Sequence, residues 1–304
     1  MRFRYALLAL AATLAGAAPA SAATEQVQES ASENWAGYVV TPNNGSNFTS
    51  VASSWVEPSA QCASSSAGTH AAFWVGLGGA SGQSRALEQV GTEVDCSASG
   101  QASHFAWYEL VPSAPVRMNI AISAGDHISA RVTVNGTNVT VSLDDATTGQ
   151  SASRNLQMSN PDTASAEWIA ESPSACSASL QDCQPLTLSN FGKVTFTNAS
   201  ATAGGHTGSI ADSAWTPSAV ELTSQDGSGA QPSGSSDGSS FSVAYVQGGG
   251  DGYGGGSPGY VYGGGGYGNG GYGGYGSGGY GDGYGGGGGY GYGYGYGYGA
   301  YPAY

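Results

Sequence analysis

Apolar residues in this chain recur at every second position, in short runs that stop at Gly, Pro, Ser or Asn. In Ile128-Ser129-Ala130-Arg131-Val132-Thr133-Val134 one face carries Ile128, Ala130, Val132 and Val134, and the other is polar. Val139-Thr140-Val141-Ser142-Leu143 repeats the alternation. Asn135-Gly136 lies between the two runs and suits a two-residue hairpin, because both residues tolerate positive φ. A period of two marks half-buried strands, whereas hardly any stretch keeps a helical period over three turns. The pattern predicts strands near 35–40, 49–56, 70–76, 86–93, 104–111, 117–123, 127–134, 138–144, 151–157, 164–171, 186–189, 193–198, 216–222 and 240–246. Short strands with turn residues between them predict an antiparallel β-sandwich or barrel. Some two hundred residues of this texture fit one all-β domain.

The two ends depart from that texture. Arg2 and Arg4 precede an apolar run from Ala6 to Ala18, and Ala20-Ser21-Ala22 offers a small-residue cleavage site. This layout predicts a secretory signal peptide over 1–22, with a run too short to span a membrane. Residues 23–33 read as a short, polar, flexible segment ahead of the domain at 34–246. Beyond Val246 the chain is nearly all Gly and Tyr and holds 15 of the 19 tyrosines. Gly loses the most entropy on ordering and these tyrosines have no aliphatic partners, so 247–304 is expected to be a disordered low-complexity tail. Its tyrosines could stack on a cell surface or on insoluble material.

Once the signal is removed, five basic residues (Arg85, Arg117, Arg131, Arg154, Lys193) stand against 21 acidic ones, a formal charge of −16. Such a surface repels nucleic acid and offers no basic patch. Charged residues make up only 9% of the chain, so few carboxylates have a cationic partner to lose on protonation, which suits low pH. Four cysteines in an exported chain suggest two disulfides with three possible pairings, of which Cys62–Cys96 with Cys176–Cys183 is preferred. His70, His104, His127 and His206 occur singly and there is no Cys-x-x-Cys. No structural zinc, other metal or cofactor is therefore expected. A secreted monomer is the expected form.

Common nucleophile motifs do not fit. Gly234-Ser235-Ser236-Asp237-Gly238 has the form G-x-S-x-G, but that motif needs a strand, a sharp turn and a helix, and here it sits in a Ser/Gly-rich turn. No Asp-Thr-Gly or Asp-Ser-Gly triplet occurs. Glu93-Val94-Asp95 begins the E-x-D-x-E pattern of a β-sandwich glucanase, but position 97 is Ser97.

Six segments, in order, carry a resemblance: Asn34-Trp35-Ala36-Gly37-Tyr38-Val39, Phe73-Trp74-Val75-Gly76-Leu77-Gly78-Gly79, Leu87-Glu88-Gln89-Val90-Gly91, Ala106-Trp107-Tyr108-Glu109, Ala166-Glu167-Trp168-Ile169 and Phe191-Gly192-Lys193-Val194-Thr195-Phe196. Over residues 33–246 the chain resembles the glutamic peptidases, or eqolisins (peptidase family G1). The resemblance implies two seven-stranded antiparallel sheets in a concanavalin-like or jelly-roll-like sandwich. It also implies protein and peptide substrates, a catalytic pair at Gln89 and Glu167, and a substrate groove lined by Trp35, Trp107 and Glu109. Fungal members have Asp where this chain has Gly78 and Phe105, and they carry a propeptide.

The residue types suit that chemistry. A carboxylate can take a proton from an attacking water and pass it to the leaving amine, while an amide N–H holds the oxyanion. Glu171 lies on the same strand face as Glu167 and is a rival base; Glu88, facing away from Gln89, is a weaker one. Two other classes compete with a secreted acid endopeptidase. One is a non-catalytic sandwich that binds carbohydrate or cell wall. The other is a glycoside hydrolase using Glu167 with Glu109. Neither requires Gln89.

Overall fold

The computed structural model describes residues 28–248, apart from 66, 82–83, 177–182 and 236. The expected signal peptide, and the Gly/Tyr tail from 249 on, lie outside the described residues. Eighteen strands follow one another along the described chain: β1 (Gln28–Ser32), β2 (Trp35–Pro42), β3 (Phe48–Val56), β4 (Thr69–Gly78), β5 (Leu87–Cys96), β6 (Ala102–Val111), β7 (Val116–Ala121), β8 (His127–Asn135), β9 (Asn138–Asp145), β10 (Gln150–Gln157), β11 (Ala166–Glu171), β12 (Ser174–Cys176), β13 (Cys183–Pro185), β14 (Lys193–Ala203), β15 (His206–Gly208), β16 (Trp215–Thr223), β17 (Gly229–Pro232) and β18 (Phe241–Val246). The fold is all-β, as the period of two predicts.

Fourteen of the strands join edge to edge in the order β10-β9-β8-β3-β14-β18-β17-β16-β2-β11-β4-β5-β6-β7. The sheet bends back over itself at β14, where Lys193–Phe196 pair with β18 and the stretch from Thr197 pairs with β3. Asn198 takes φ 54° at the register shift, and the extra residue of such a bulge bends the strand. β3, β8 and β9 thereby face β4, β5 and β11 as two layers. Val51, Val132, Val141 and Leu143 interdigitate with Phe73, Val75, Val94 and Trp168 in the core between them. This is the expected sandwich, with its hydrogen bonding continuous around one corner.

Several expectations need correction. The lead-in read as flexible contains β1, which pairs in parallel with β16. No strand forms over 186–189, where only a bridge between His70 and Leu188 occurs. β12, β13, β15 and β17 are three or four residues long and rich in Ser, Gly and Pro. Strands that short show no readable alternation. The disulfides are Cys62–Cys96 and Cys176–Cys183, as preferred from the sequence.

All six residues of β11 are buried. Ala166, Trp168 and Ala170 enter the core, and Trp168 Nε1 donates to Ala52 O of β3 at 2.9 Å, tying the layers together. Trp168→Phe should cost about 1–3 kcal/mol by leaving that carbonyl unsatisfied. Trp168→Ala should cost about 3–5 kcal/mol by adding a cavity. Urea unfolding of both variants measures the difference.

Candidate active site

The other face of β11 carries Glu167, Ile169 and Glu171 into a second apolar cluster with Trp35, Val39, Trp74, Leu87, Phe105, Trp107 and Val220. Strand register fixes what lies beside Glu167. It pairs with Gly76 on β4, Gly76 with Gln89 on β5, and Gln89 with Glu109 on β6. Glu167 and Gln89 therefore share a face two strands apart, about 9.6 Å between backbones at the usual spacing. Gly76, with no side chain, lets the Trp74 ring and Leu87 close over the row between them. A Cβ there would meet the Trp74 ring at 2.8 Å and Leu87 Cδ1 at 3.0 Å.

Gln89 Nε2 donates to Glu109 Oε2 at 2.7 Å, which orients the amide. Gln89 Oε1 and both Glu167 oxygens are buried without a well-formed hydrogen bond among the described residues. Trp35 and Trp74 meet edge to face at 5.1 Å. Trp107 sits one row from Gln89, beside Gly91 and Arg117, and its Nε1 is likewise unpartnered. Thus the five residues singled out from the sequence, Gln89, Glu167, Trp35, Trp107 and Glu109, all line one face. The rival Glu171 is tied down, accepting from Trp74 Nε1 at 2.7 Å and Asn34 Nδ2 at 3.2 Å. Glu88 faces away and accepts from the backbone N–H of Asp162 at 3.1 Å. Ser236 of the G-x-S-x-G match lies outside the described residues. Among the described residues, His70, Glu93 and Asp95 have metal-ligand chemistry, with ligand atoms within 4.8 Å of one another. His70 Nδ1 is already engaged by Asp95 Oδ1 at 2.6 Å.

A sequence model of the Peptidase A4 family matches residues 33–245. The chain belongs to the Peptidase A4 family. Scytalidopepsin B of Scytalidium lignicola is 33% identical over 201 residues, covering 64% of this chain and 72% of that protein. Aspergillopepsin-2 of Aspergillus niger is 33% identical over 243 residues, covering 72% and 79%. The fold matches the crystal structure of scytalido-glutamic peptidase with a peptide-based transition-state analogue, at a TM-score of 0.59 and 28% identity over 70% of this chain and 98% of that one. The relatives are glutamic peptidases, and this Peptidase A4 chain is a hydrolase of that type.

Two positions set this member apart from the expected pattern. At Gly78 (φ +84°) a side chain would run into Asp162, whose Cβ lies 2.6 Å and Cγ 2.9 Å from where a Cβ would stand. Asp162, which no sequence motif singles out, thus fills the space beside Gly78. Phe105 stacks beneath the Arg117 guanidinium, 3.6 Å from the ring centroid.

Burial dominates the electrostatics of this Peptidase A4 site. It pushes the Glu88 and Glu171 pKa values to about 8. It also raises Glu167 well above the usual range; the Ser165 hydroxyl opposes this, and the Asp162 and Glu88 carboxyls add to it. Glu93 is raised by burial, then by Asp95 and Glu171. Each group binds its proton more tightly folded than unfolded. Their stabilisation is therefore complete below the unfolded value of about 4.5 and is lost as pH rises toward 8. Denaturation at pH 3.5, 5.5 and 7.5 should show stability highest in acid and, above about pH 4.5, falling by up to roughly 1.4 kcal/mol per pH unit for each of Glu88 and Glu171. Glu171→Gln should flatten the slope.

Proposed function

We propose that this chain is an exported endopeptidase working in the acid to weakly acid range, with Glu167 as base and acid and Gln89 as oxyanion donor. The observation that carries the reading is the register row Glu167–Gly76–Gln89–Glu109, which puts a carboxyl and an oriented amide on one face, two strands apart. Export rests on the layout of 1–22 and on the two disulfides.

In the proposed reaction a peptide carbonyl lies between Glu167 and Gln89, and the Trp74 ring and Leu87 above Gly76 give way to it. Ionised Glu167 takes a proton from water as its oxygen bonds to the carbonyl carbon. Gln89 keeps one N–H on Glu109 and turns the other to the developing oxyanion, a contribution typically of about 3–4 kcal/mol. Glu167 then returns the proton to the departing nitrogen, the C–N bond breaks, and acid and amine leave. Glu109, expected from the resemblance to line the groove, takes the role of orienting Gln89. Trp35 and Trp107 form apolar wall beside the pair, and the chemistry calls on no metal.

The raised affinity of Glu167 for its proton sets the acid side. In the empty groove the base form grows above the ordinary glutamate value of about 4.3, while bound substrate and water supply donors that favour ionisation. The acid limb of kcat should therefore lie at lower pH than that of kcat/KM. At higher pH activity falls with the loss of stability described above.

Glu167→Gln and Gln89→Ala should each lower kcat/KM by at least about a hundredfold. Glu167→Gln should also abolish the acid limb, whereas Gln89→Ala should lower the curve without moving it. The pH–rate profiles of both, with Glu171→Gln as control, test this. An active Glu167→Gln beside a dead Glu171→Gln would sink the assignment.

A further inference from the structure

The strongest unassigned feature near the site is a knot of polar groups at its Gly78 end. Asp162 lies on the loop between β10 and β11, five residues before Glu167. Its Oδ2 accepts from Gly79 N–H at 3.3 Å and from the Ser84 hydroxyl, and its Oδ1 accepts from Ala164 N–H at 3.0 Å. Its own N–H donates to buried Glu88 at 3.1 Å. Gly79 and Ser84 belong to the connection from β4 to β5, and Ser84 is five residues before Gln89. Gly78 N–H donates to Ser165 O at 3.1 Å, closing the two loops a second time.

We infer that Asp162 is a positioning residue that clasps the loops leading to Glu167 and Gln89 and, through its charge, moves the pH at which Glu167 acts upward. The inference rests on the reading of Glu167 and Gln89 as the catalytic pair. Geometry supports the first half: one carboxylate bonds both loops at their last turns before the paired strands. Gly78 makes this possible, since any side chain there would displace Asp162.

The electrostatic half follows from what surrounds Glu167. On β5 the titratable neighbour is Glu88, which is wholly buried; on β6 it is Glu109, bonded to Gln89. On β2 and β4 its register partners are Val39 and Gly76, which carry no charge. Glu171, on its own strand, is four residues away and bonded to Trp74 and Asn34. Asp162 is the member of this acidic group that is only half-buried, and its carboxylate accepts three hydrogen bonds. A negative charge here opposes ionisation of Glu167 and keeps the base protonated to higher pH.

The test is the kcat/KM profile on acid-denatured haemoglobin for wild type, Asp162→Asn and Ser84→Ala. An asparagine removes the charge and keeps one accepting oxygen, enough for the Gly79 and Ser84 donors now on Oδ2, while losing the acceptor for Ala164 N–H. Its acid limb should move toward lower pH by about half a unit or more, with the plateau within about threefold of wild type. Ser84→Ala keeps the charge but loses one strand of the clasp, so its plateau should fall about threefold to tenfold with the limb in place. A limb that stays put in Asp162→Asn, or moves to higher pH, overturns the electrostatic role. A Ser84→Ala plateau equal to wild type overturns the clasp. If Asp162→Asn does not fold by circular dichroism, Asp162→Ser, which also removes the charge, is read by the same criterion. Glu167→Gln in the same assay separates the two levels. Should it remain active, the catalytic pair itself is wrong. Should it be inactive while Asp162→Asn keeps the wild-type limb, only the role of Asp162 fails.

Discussion

Four carboxyls are held in a dry sheet with almost no cation to meet them, and the rest of the molecule follows from that constraint. Glu88, Glu93, Glu167 and Glu171 are each at most 4% exposed. The nearest arginine, Arg117, is itself largely exposed and comes within 3.9 Å only of Asp95. Burying a charge without a partner costs far more than burying a neutral acid, so these groups keep their protons. A protein built this way is at its most stable in acid, where its unfolded chain is protonated as well. The few basic residues in the sequence are the composition-level trace of the same arrangement.

The strand period of two lets one element serve both purposes. Along β11 the odd positions, Glu167, Ile169 and Glu171, form the candidate site, while Ala166, Trp168 and Ala170 seal the core. Slipping the register by one residue would place two carboxyls between the layers and Trp168 in the groove, so core packing itself enforces the site. Trp168 bonded to Ala52 across the layers is the pin in that mechanism. On β5 the same alternation sends Val90 and Val94 inward and Gln89 to the site face.

Alternation and turn chemistry are local, and what depends on them was legible in the sequence. The β8–β9 hairpin about Asn135-Gly136, most strand positions and the two local disulfides are of this kind. Pairing across the sheet is not local. Nothing in the order of residues says that Gly76 falls between Glu167 and Gln89, or that Gln89 bonds Glu109; only the resemblance to a family placed them together. Asp162 was invisible for the same reason. It carries no motif, and its importance comes from a glycine 84 positions earlier that leaves it room. β1 was misread because its polar sequence QESAS lacks apolar alternation. Its place is fixed by the edge of β16, to which it adds in parallel.

On the proposed reading of Glu167 as base, an amide opposite it follows from the same dryness. A second carboxyl at position 89 would bring a like group into a region where Glu88 and Asp162 already oppose ionisation of Glu167. One of the two acids would then hold its proton across the acid range, and the donor at position 89 would come and go with pH. Glutamine supplies a donor that no change of pH removes. Its carbonyl and amino ends are told apart by Glu109, which accepts from the Nε2 end. Glu109 does this with a carboxyl oxygen directed at Nε2, beyond the groove-lining place the resemblance implies. The neutral amide and the acid that orients it thus form one unit, and the buried glutamate across Gly76 is the partner whose proton affinity the surrounding acids tune.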